Sequence, residues 1–154
     1  MTTPPTAPPP SLSVLLEHTL PDSSRHFDWL IERPHNPSPT DPNRGKPEHR
    51  MITFRCTIDP FDCETHPWTG TRLPDHRAHY IDYEGPISGD RGRVRRLWRT
   101  PCVLVEESTS RIRALMHDPR AAQSVAREIT LNAPIHGSDE CWELTISSPP
   151  GAPA

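Results

Sequence analysis

Apolar and polar positions alternate with a period of two along much of the chain, which is typical of β-strands that have one buried face. The clearest alternation covers residues 25–32, where Phe27, Trp29 and Ile31 are expected to face the core. Further strands are predicted at residues 11–17, 51–58, 80–84, 93–99, 102–107, 111–116, 124–131 and 141–147. Many short strands separated by turn signals, without a long amphipathic helix, predict a mostly β fold, either a barrel or a sandwich.

Prolines indicate where the folded part begins and ends. Of the 21 prolines, five lie in residues 1–10, five in residues 34–47 and three in residues 149–154. Proline-rich segments stay extended and bury little apolar surface. We therefore expect disordered tails at residues 1–10 and 149–154, and a single domain at residues 11–148 that contains a flexible loop at residues 34–47.

The composition narrows the possible partners and location. A formal net charge of −3 argues against sequence-independent coating of nucleic acid, although it leaves room for a local basic patch. No apolar run approaches the roughly 20 residues that a membrane-spanning helix needs, and the N-terminus lacks the pattern of a signal peptide. We therefore expect a soluble, cytoplasmic monomer that does not associate with membranes.

Four cysteines are spread along the chain without a C-x2-C pair, at positions Cys56, Cys63, Cys102 and Cys141. A structural zinc site normally has paired ligands at short spacing, so we interpret these cysteines as reduced and mostly buried thiols. A zinc site built from Cys56, Cys63 and His66 is the alternative.

A histidine and a His-x-Asp pair form a candidate metal site. Alternation puts His26 and Asp28 on the same face of one predicted strand, and His18 comes at the end of the strand before it. Imidazole binds several transition metals, and a carboxylate also suits harder ions such as manganese. Such an ion can polarise a phosphoryl oxygen and activate water at neutral pH. His-x-Asp also occurs by chance, so an ordinary surface histidine and a strand aspartate are the alternative.

Residues 73–99 combine ionisable side chains with a glycine-containing turn. If residues 80–84 are extended, Tyr80, Asp82 and Glu84 line one face. The end of the turn and the strand after it carry five arginines, Arg91, Arg93, Arg95, Arg96 and Arg99. A solvated charged face and a track for DNA phosphates are both compatible with this run.

The same stretch resembles a known family. It reads D-H-x-x-x-Y, then Y-E-G, a turn with glycines and a strand with tryptophan, and the matching residues are Asp75, His76, Tyr80, Tyr83, Glu84, Gly85, Gly89, Gly92 and Trp98. In order and spacing it is similar to the 3′-phosphoesterase module of bacterial DNA ligase D and to stand-alone DNA polymerase/ligase D-like proteins. The resemblance covers roughly residues 18–98 and implies a small closed or partly open β-barrel with short helical segments.

The resemblance also implies a metal and a set of catalytic residues. His18, His26 and Asp28 fall on the family's metal ligands, so a divalent ion is expected, manganese first, with zinc or cobalt as alternatives. In the family a histidine and a tyrosine contact the phosphate or assist proton transfer, and an acidic residue accompanies the metal motif. The catalytic residues expected on this basis are His76, Tyr80 and Glu32.

The activity implied by the resemblance is removal of a 3′-phosphate or a terminal ribonucleotide from DNA 3′ ends, which prepares breaks for non-homologous end joining. Expected partners are DNA 3′ ends or primer-templates, and beyond these a DNA ligase or an end-binding protein. The residues expected to bind DNA phosphates are Arg55, Arg91, Arg93 and Arg95. The alternatives are a weak or inactive module that binds DNA ends or a ligase, and a small barrel that binds a phosphorylated small molecule.

One departure from the family affects the expected rate. Many relatives carry an arginine two residues after the metal-binding aspartate, and this chain has Leu30 there; a lysine after the next strand is also missing, and that strand carries Arg55. A guanidinium binds phosphate in a planar, bidentate way, so its loss is expected to slow catalysis. Leu30→Arg is expected to raise the rate if this strand face is open to the site.

Overall fold

The computed structural model describes residues 11–34, 51–62, 67–121, 123, 125–134 and 141–147. The two expected disordered tails lie outside these residues, as does the expected loop apart from Pro34. The strands are β1 (Ser11–Thr19), β2 (Arg25–Glu32), β3 (Met51–Cys56), β4 (Thr69–His76), β5 (Gly85–Pro86), β6 (Arg93–Glu107), β7 (Arg111–His117), β8 (Ala126–Asn132) and β9 (Trp142–Ser147), with a 3₁₀ turn at Ala78–Ile81. No helix in this part of the chain is long and apolar enough to cross a membrane.

The strands form one antiparallel sheet in the order β1-β2-β3-β4-β9-β8-β7-β6-β5, and β1 also pairs with β6, so the sheet closes into a ring. The seam between β1 and β6 is long and contains a bulge between Leu15 and Leu16. In contrast, β4 and β9 pair at only two positions. The prediction of a mostly β fold is confirmed, and the ring with its short β4–β9 seam is consistent with a partly open barrel.

The inner face of the ring carries the main hydrophobic core. Trp29 and Ile31 are completely buried in it and Phe27 packs against it, which confirms the predicted inward face of β2. Trp68 meets Trp29 and Phe54 edge to face, with ring centroids 5.7 and 6.0 Å apart. Such aromatic pairs contribute about 0.5–1.5 kcal/mol beyond the area they bury.

The outer face of β1, β2, β3 and β6 carries a second, smaller cluster, which consists of Val14, Leu16, Leu30, Met51, Ile81 and Val94. Residues 77–92, which we call the cover segment, fold back over this cluster with the 3₁₀ turn and β5. Leu30 is completely buried beneath it. The condition for a beneficial Leu30→Arg change, an open strand face, is therefore not met.

The prediction of a strand at residues 80–84 is wrong. The 3₁₀ turn extends to Ile81, and Asp82 follows it with helical backbone angles. In a 3₁₀ turn, side chains three residues apart lie above one another. Ala78 and Ile81 both pack on the second cluster in this way. The extended segment lies earlier, as β4, where the sequence pattern predicts no strand.

Candidate metal centre

The β1–β2 hairpin brings together the three predicted metal ligands. His18 lies directly opposite His26 in the antiparallel register, and Asp28 lies two residues farther along β2. Directly opposed side chains have Cβ atoms about 4.5–5.5 Å apart, and residues two apart on a strand share a face. Local hairpin geometry therefore places both imidazoles and the carboxylate on the outer face of the sheet, at the edge of the second cluster.

Each of the three residues offers one ligand atom, and these atoms all lie within 4.8 Å of one another, a spacing that one shared ion can span. Nδ1 of His18 lies 3.2 Å from Nε2 of His26 and 3.6 Å from Oδ2 of Asp28. Nε2 of His26 lies 3.3 Å from Oδ1 of Asp28. Tetrahedral ligands about 2.1 Å from a metal are about 3.4 Å apart, so an ion fits among these atoms without movement of the backbone.

Hydrogen bonds orient His18 for metal binding. Its Nε2 lies 2.7 Å from the carbonyl oxygen of Arg91. A carbonyl can only accept, so Nε2 carries the proton and donates it, and the lone pair of Nδ1 points at His26 and Asp28. A histidine that ligates a metal commonly donates its other N–H in this way.

The carboxylate of Asp28 gives a second sign that a cation belongs here. The Asp28 side chain is buried, and its Oδ1 has no hydrogen-bond partner among the described residues. A buried acceptor without a partner costs about 1–3 kcal/mol, and more when it is charged. With two imidazole nitrogens also facing this carboxylate, the site is rich in lone pairs and suits a bound cation or shared protons. The residues present therefore fit a divalent metal, and the donor set suits manganese, zinc or cobalt.

A cavity of about 370 Å³ opens beside the candidate ligands and is lined by two of them, His18 and Asp28. One wall is aliphatic, from β1, β4, β6 and the cover segment, and the other carries predicted site residues: Arg55, His76, Tyr80 and Arg91. Arg55 is exposed and lies opposite Asp28 in the β2–β3 register. It forms no ion pair within the described ranges, so its guanidinium is available to a ligand.

His76 and Tyr80 come together at the mouth of this cavity, with ring centroids 5.9 Å apart. Nδ1 of His76 donates to the carbonyl oxygen of Pro74 at 3.0 Å. The proton therefore lies on Nδ1, and Nε2 carries a lone pair that can accept a proton. The structure thus places a proton acceptor and a phenol in the same cavity as the metal ligands.

Three other predicted residues lie outside the cavity. Arg93 and Arg95 border a separate depression on the surface, where Arg95 pairs with Glu17 at 3.2 Å. Glu32 is buried, and its Oε1 accepts a hydrogen bond from the backbone N–H of Leu12 at 3.1 Å. Four residues along a strand span about 13 Å, so the structure does not bring Glu32 to the metal ligands.

The buried cysteines do not resemble metal ligands. Burial raises the pKa of the Cys56 and Cys102 thiols to about 12, so both stay protonated at neutral pH. The alternative zinc site at Cys56 involves Cys63 and His66, which lie outside the described residues.

The sequence analysis missed a buried ion network below the site. Arg33 makes two hydrogen bonds to Glu107, at 2.7 and 2.8 Å, and one to Asp75 at 2.7 Å. Burial lowers the pKa of Arg33, but the hydrogen bonds to both carboxylates outweigh burial and raise the pKa. Asp75 directly precedes His76, so the network anchors the end of β4 that presents His76. Asp75 was recognised only as a motif residue, because Arg33 is 42 positions away from it in the sequence.

No protein-family model matches the chain, and no curated protein is significantly similar to it.

Proposed function

We propose that the protein is a metal-dependent phosphoesterase that removes a 3′-phosphate or a terminal ribonucleotide from DNA 3′ ends, as a step in end joining. The observation that carries this proposal is the convergence of His18, His26 and Asp28, whose ligand atoms all lie within 4.8 Å of one another. Among the described residues Oδ1 of Asp28 has no hydrogen-bond partner, and the cavity beside it is also lined by Arg55 and by the proton acceptor His76. The motif resemblance around residues 75–98 supports the choice of a phosphate ester as the substrate.

Each residue of the cavity has a task that follows from its position. A bound divalent ion would act as a Lewis acid for a phosphoryl oxygen and help to ionise water at neutral pH. Arg55, next to Asp28, orients the phosphate and offsets its charge. Nε2 of His76 accepts a proton from the attacking water, and the Tyr80 hydroxyl donates to the phosphate or the leaving group.

The catalytic rate is expected to be low. Relatives place a guanidinium at the position of Leu30, and here that position is buried in the second cluster. Loss of one donor to a developing charge typically costs about 10²–10³ in rate. The same observation favours the second candidate, a module that binds DNA ends or a ligase without turnover.

Phosphate release from a 3′-phosphorylated primer-template separates these two candidates. We expect slow release by the wild type with Mn²⁺, and a loss of about 10²-fold or more in His76→Ala. His117→Ala, on β7 and outside the cavity, is the matched control and should keep the wild-type rate. The enzyme hypothesis fails if the wild type releases no phosphate with Mn²⁺, Zn²⁺ or Co²⁺. Release that is unchanged in His76→Ala would place the catalytic residues elsewhere.

A further inference from the structure

Four aromatic side chains lie within eight residues beside the cavity: His76 and Tyr80, which line it, and His79 and Tyr83, which continue from Tyr80. Tyr80 forms part of the cavity lining and contacts His79 edge to face, with ring centroids 5.3 Å apart. His79 and Tyr83 are tilted by only 32° with centroids 4.6 Å apart, which is close to a stacked pair. A continuous aromatic surface therefore leads from the cavity onto the cover segment.

The cover segment holds this surface in a fixed shape. Ile81 is buried in the second cluster, and its carbonyl oxygen accepts a hydrogen bond from Nη1 of Arg96 at 3.0 Å. The Tyr83 hydroxyl donates to the carbonyl oxygen of Pro86. A ligand that binds to rings fixed in this way does not have to pay the full entropic cost of ordering them.

His79 is the exposed member of the group. Its imidazole makes no hydrogen bond or ion pair with any residue that the structure describes, although it stacks on Tyr83. The nearby carboxylates of Asp82 and Glu84 are engaged by Arg99 and by the backbone N–H of Arg96, which offsets their repulsion of an anionic ligand. A histidine whose only role is packing would be buried. His79 is exposed instead, and it extends the aromatic surface into solvent.

We infer that His79, supported by Tyr83, is a stacking site for an unpaired nucleobase next to the phosphate in the cavity. This inference rests on the proposed function, because it places the base relative to the phosphate that the metal ligands and Arg55 would hold. The cavity itself, at about 370 Å³, has room for the phosphate and sugar of one nucleotide. Rings give no binding energy to an isolated phosphate, whereas every base has a face that stacks on them.

Binding of single-stranded DNA that ends in a 3′-phosphate tests the inference in EDTA, where no turnover can occur. One oligonucleotide carries 2-aminopurine as its 3′-terminal base, and the second has an abasic sugar there. Stacking is typically worth about 1–3 kcal/mol per base, so the wild type should bind the abasic strand on the order of 10-fold more weakly and quench 2-aminopurine fluorescence.

His79→Ala should remove this preference and the quenching, while its affinity for the abasic strand stays unchanged. His79→Phe keeps a ring and should retain both, and His117→Ala is the matched control for an exposed histidine elsewhere. Equal binding of both strands by the wild type would overturn the stacking site. A preference that survives in His79→Ala, or is lost in His79→Phe, would do the same. Phosphate release with Mn²⁺, measured separately, decides the proposed function, because it does not depend on a base preference.

Discussion

Replacing Gly92 by alanine should weaken metal binding although Gly92 is not a ligand. Gly92 ends the turn that follows β5 and has a φ of +93°, a backbone conformation that L-residues rarely adopt. A Cβ added there would lie 2.0 Å from the carbonyl oxygen of Thr19 and 3.0 Å from Cα of Leu20. The turn must therefore move away from the end of β1, and the carbonyl of Arg91 moves with it. This carbonyl is the acceptor that orients His18.

The size of both effects follows from this geometry. Left-handed backbone strain at a non-glycine residue costs about 1–2 kcal/mol, and relief of the overlap requires a shift of about 1 Å that disturbs the β5–β6 hairpin. We expect a loss of about 2–4 kcal/mol in the free energy of unfolding. A 1 Å shift lengthens the 2.7 Å bond from His18 past the range of a hydrogen bond. Loss of such an outer partner typically lowers metal affinity about 10–100-fold.

Gly89→Ala is the matched control in the same turn. Gly89 also has a positive φ, of +77°, but a Cβ there would meet only the Arg91 side chain, at an ordinary 3.7 Å. Both variants carry the strain of a positive φ, but only Gly92→Ala brings a Cβ against the carbonyl oxygen of Thr19. Urea unfolding and Mn²⁺ calorimetry of both variants therefore separate these two effects. Gly89→Ala should lose about 1–2 kcal/mol of stability and keep its metal affinity. If Gly92→Ala binds Mn²⁺ as tightly as wild type, the proposed support of His18 by the Arg91 carbonyl is refuted. If both variants lose the same amount of Mn²⁺ affinity, backbone strain in the turn is sufficient to explain the effect.

Three further predictions concern buried groups. Asp28→Asn should lower Mn²⁺ affinity by more than the roughly 10–100-fold of an outer partner, yet in EDTA its urea midpoint should match or exceed that of wild type, because the change removes the charge from a buried carboxylate whose Oδ1 accepts no hydrogen bond from the described residues; a lower midpoint would contradict this. Leu30→Arg should lose more than about 3 kcal/mol in urea unfolding and gain no activity, whereas Leu30→Met should lose less than about 1.5 kcal/mol; a stable, faster Leu30→Arg would show that the position is open. Because the folded-state pKa of Cys56 and Cys102 is raised to about 12, stability is complete below the unfolded pKa of about 8.5 and falls as pH rises from there towards 12. Neither thiol should react with iodoacetamide in native protein at pH 8, which mass spectrometry would show.

The grouping of the three candidate metal ligands was predictable because it depends on local geometry. Strand alternation places His26 and Asp28 on one face, and the Pro-Asp-Ser-Ser turn predicts the hairpin that returns towards His18. The structure closes this turn with a hydrogen bond from the N–H of Leu20 to the carbonyl of Ser24 at 2.8 Å. A register of direct opposition between His18 and His26 follows from the length of the turn, without long-range contacts.

The arginines were harder to place, because a turn separates them. Alternation predicts one shared face for Arg93, Arg95 and Arg99, and all three are exposed, but the bulge between Leu15 and Leu16 breaks the alternation. Arg99 therefore contacts Asp82 of the cover segment, whereas Arg95 pairs with Glu17 of β1. Arg91 precedes Gly92, so its side chain belongs to the turn and lines the cavity, whereas Arg93 does not. Sequence spacing treats these residues as one run, and only the folded turn divides them between two surfaces.

Glu32 and Arg33 show a further limit of prediction from sequence. They are neighbours at the end of β2, and a charged pair at a strand end is typical of solvent exposure. Both are buried, because Arg33 meets carboxylates at positions 75 and 107 and Glu32 meets the backbone of β1. No local pattern encodes partners 42 and 74 positions away.

The division of the core into two clusters has a consequence for how the site depends on the fold. Among the described residues, the main hydrophobic core inside the ring contains fourteen buried side chains. The second cluster, on which the cover segment packs, contains only six. The candidate metal ligands belong to the hairpin, but the Arg91 carbonyl and Tyr80 belong to the cover segment. Because fewer buried contacts hold the cover segment, its local opening should require less free energy than global unfolding. Opening would release His18 from Arg91 and remove Tyr80 from the cavity while the ring stays folded. Loss of site geometry and loss of fold should therefore occur at different denaturant concentrations.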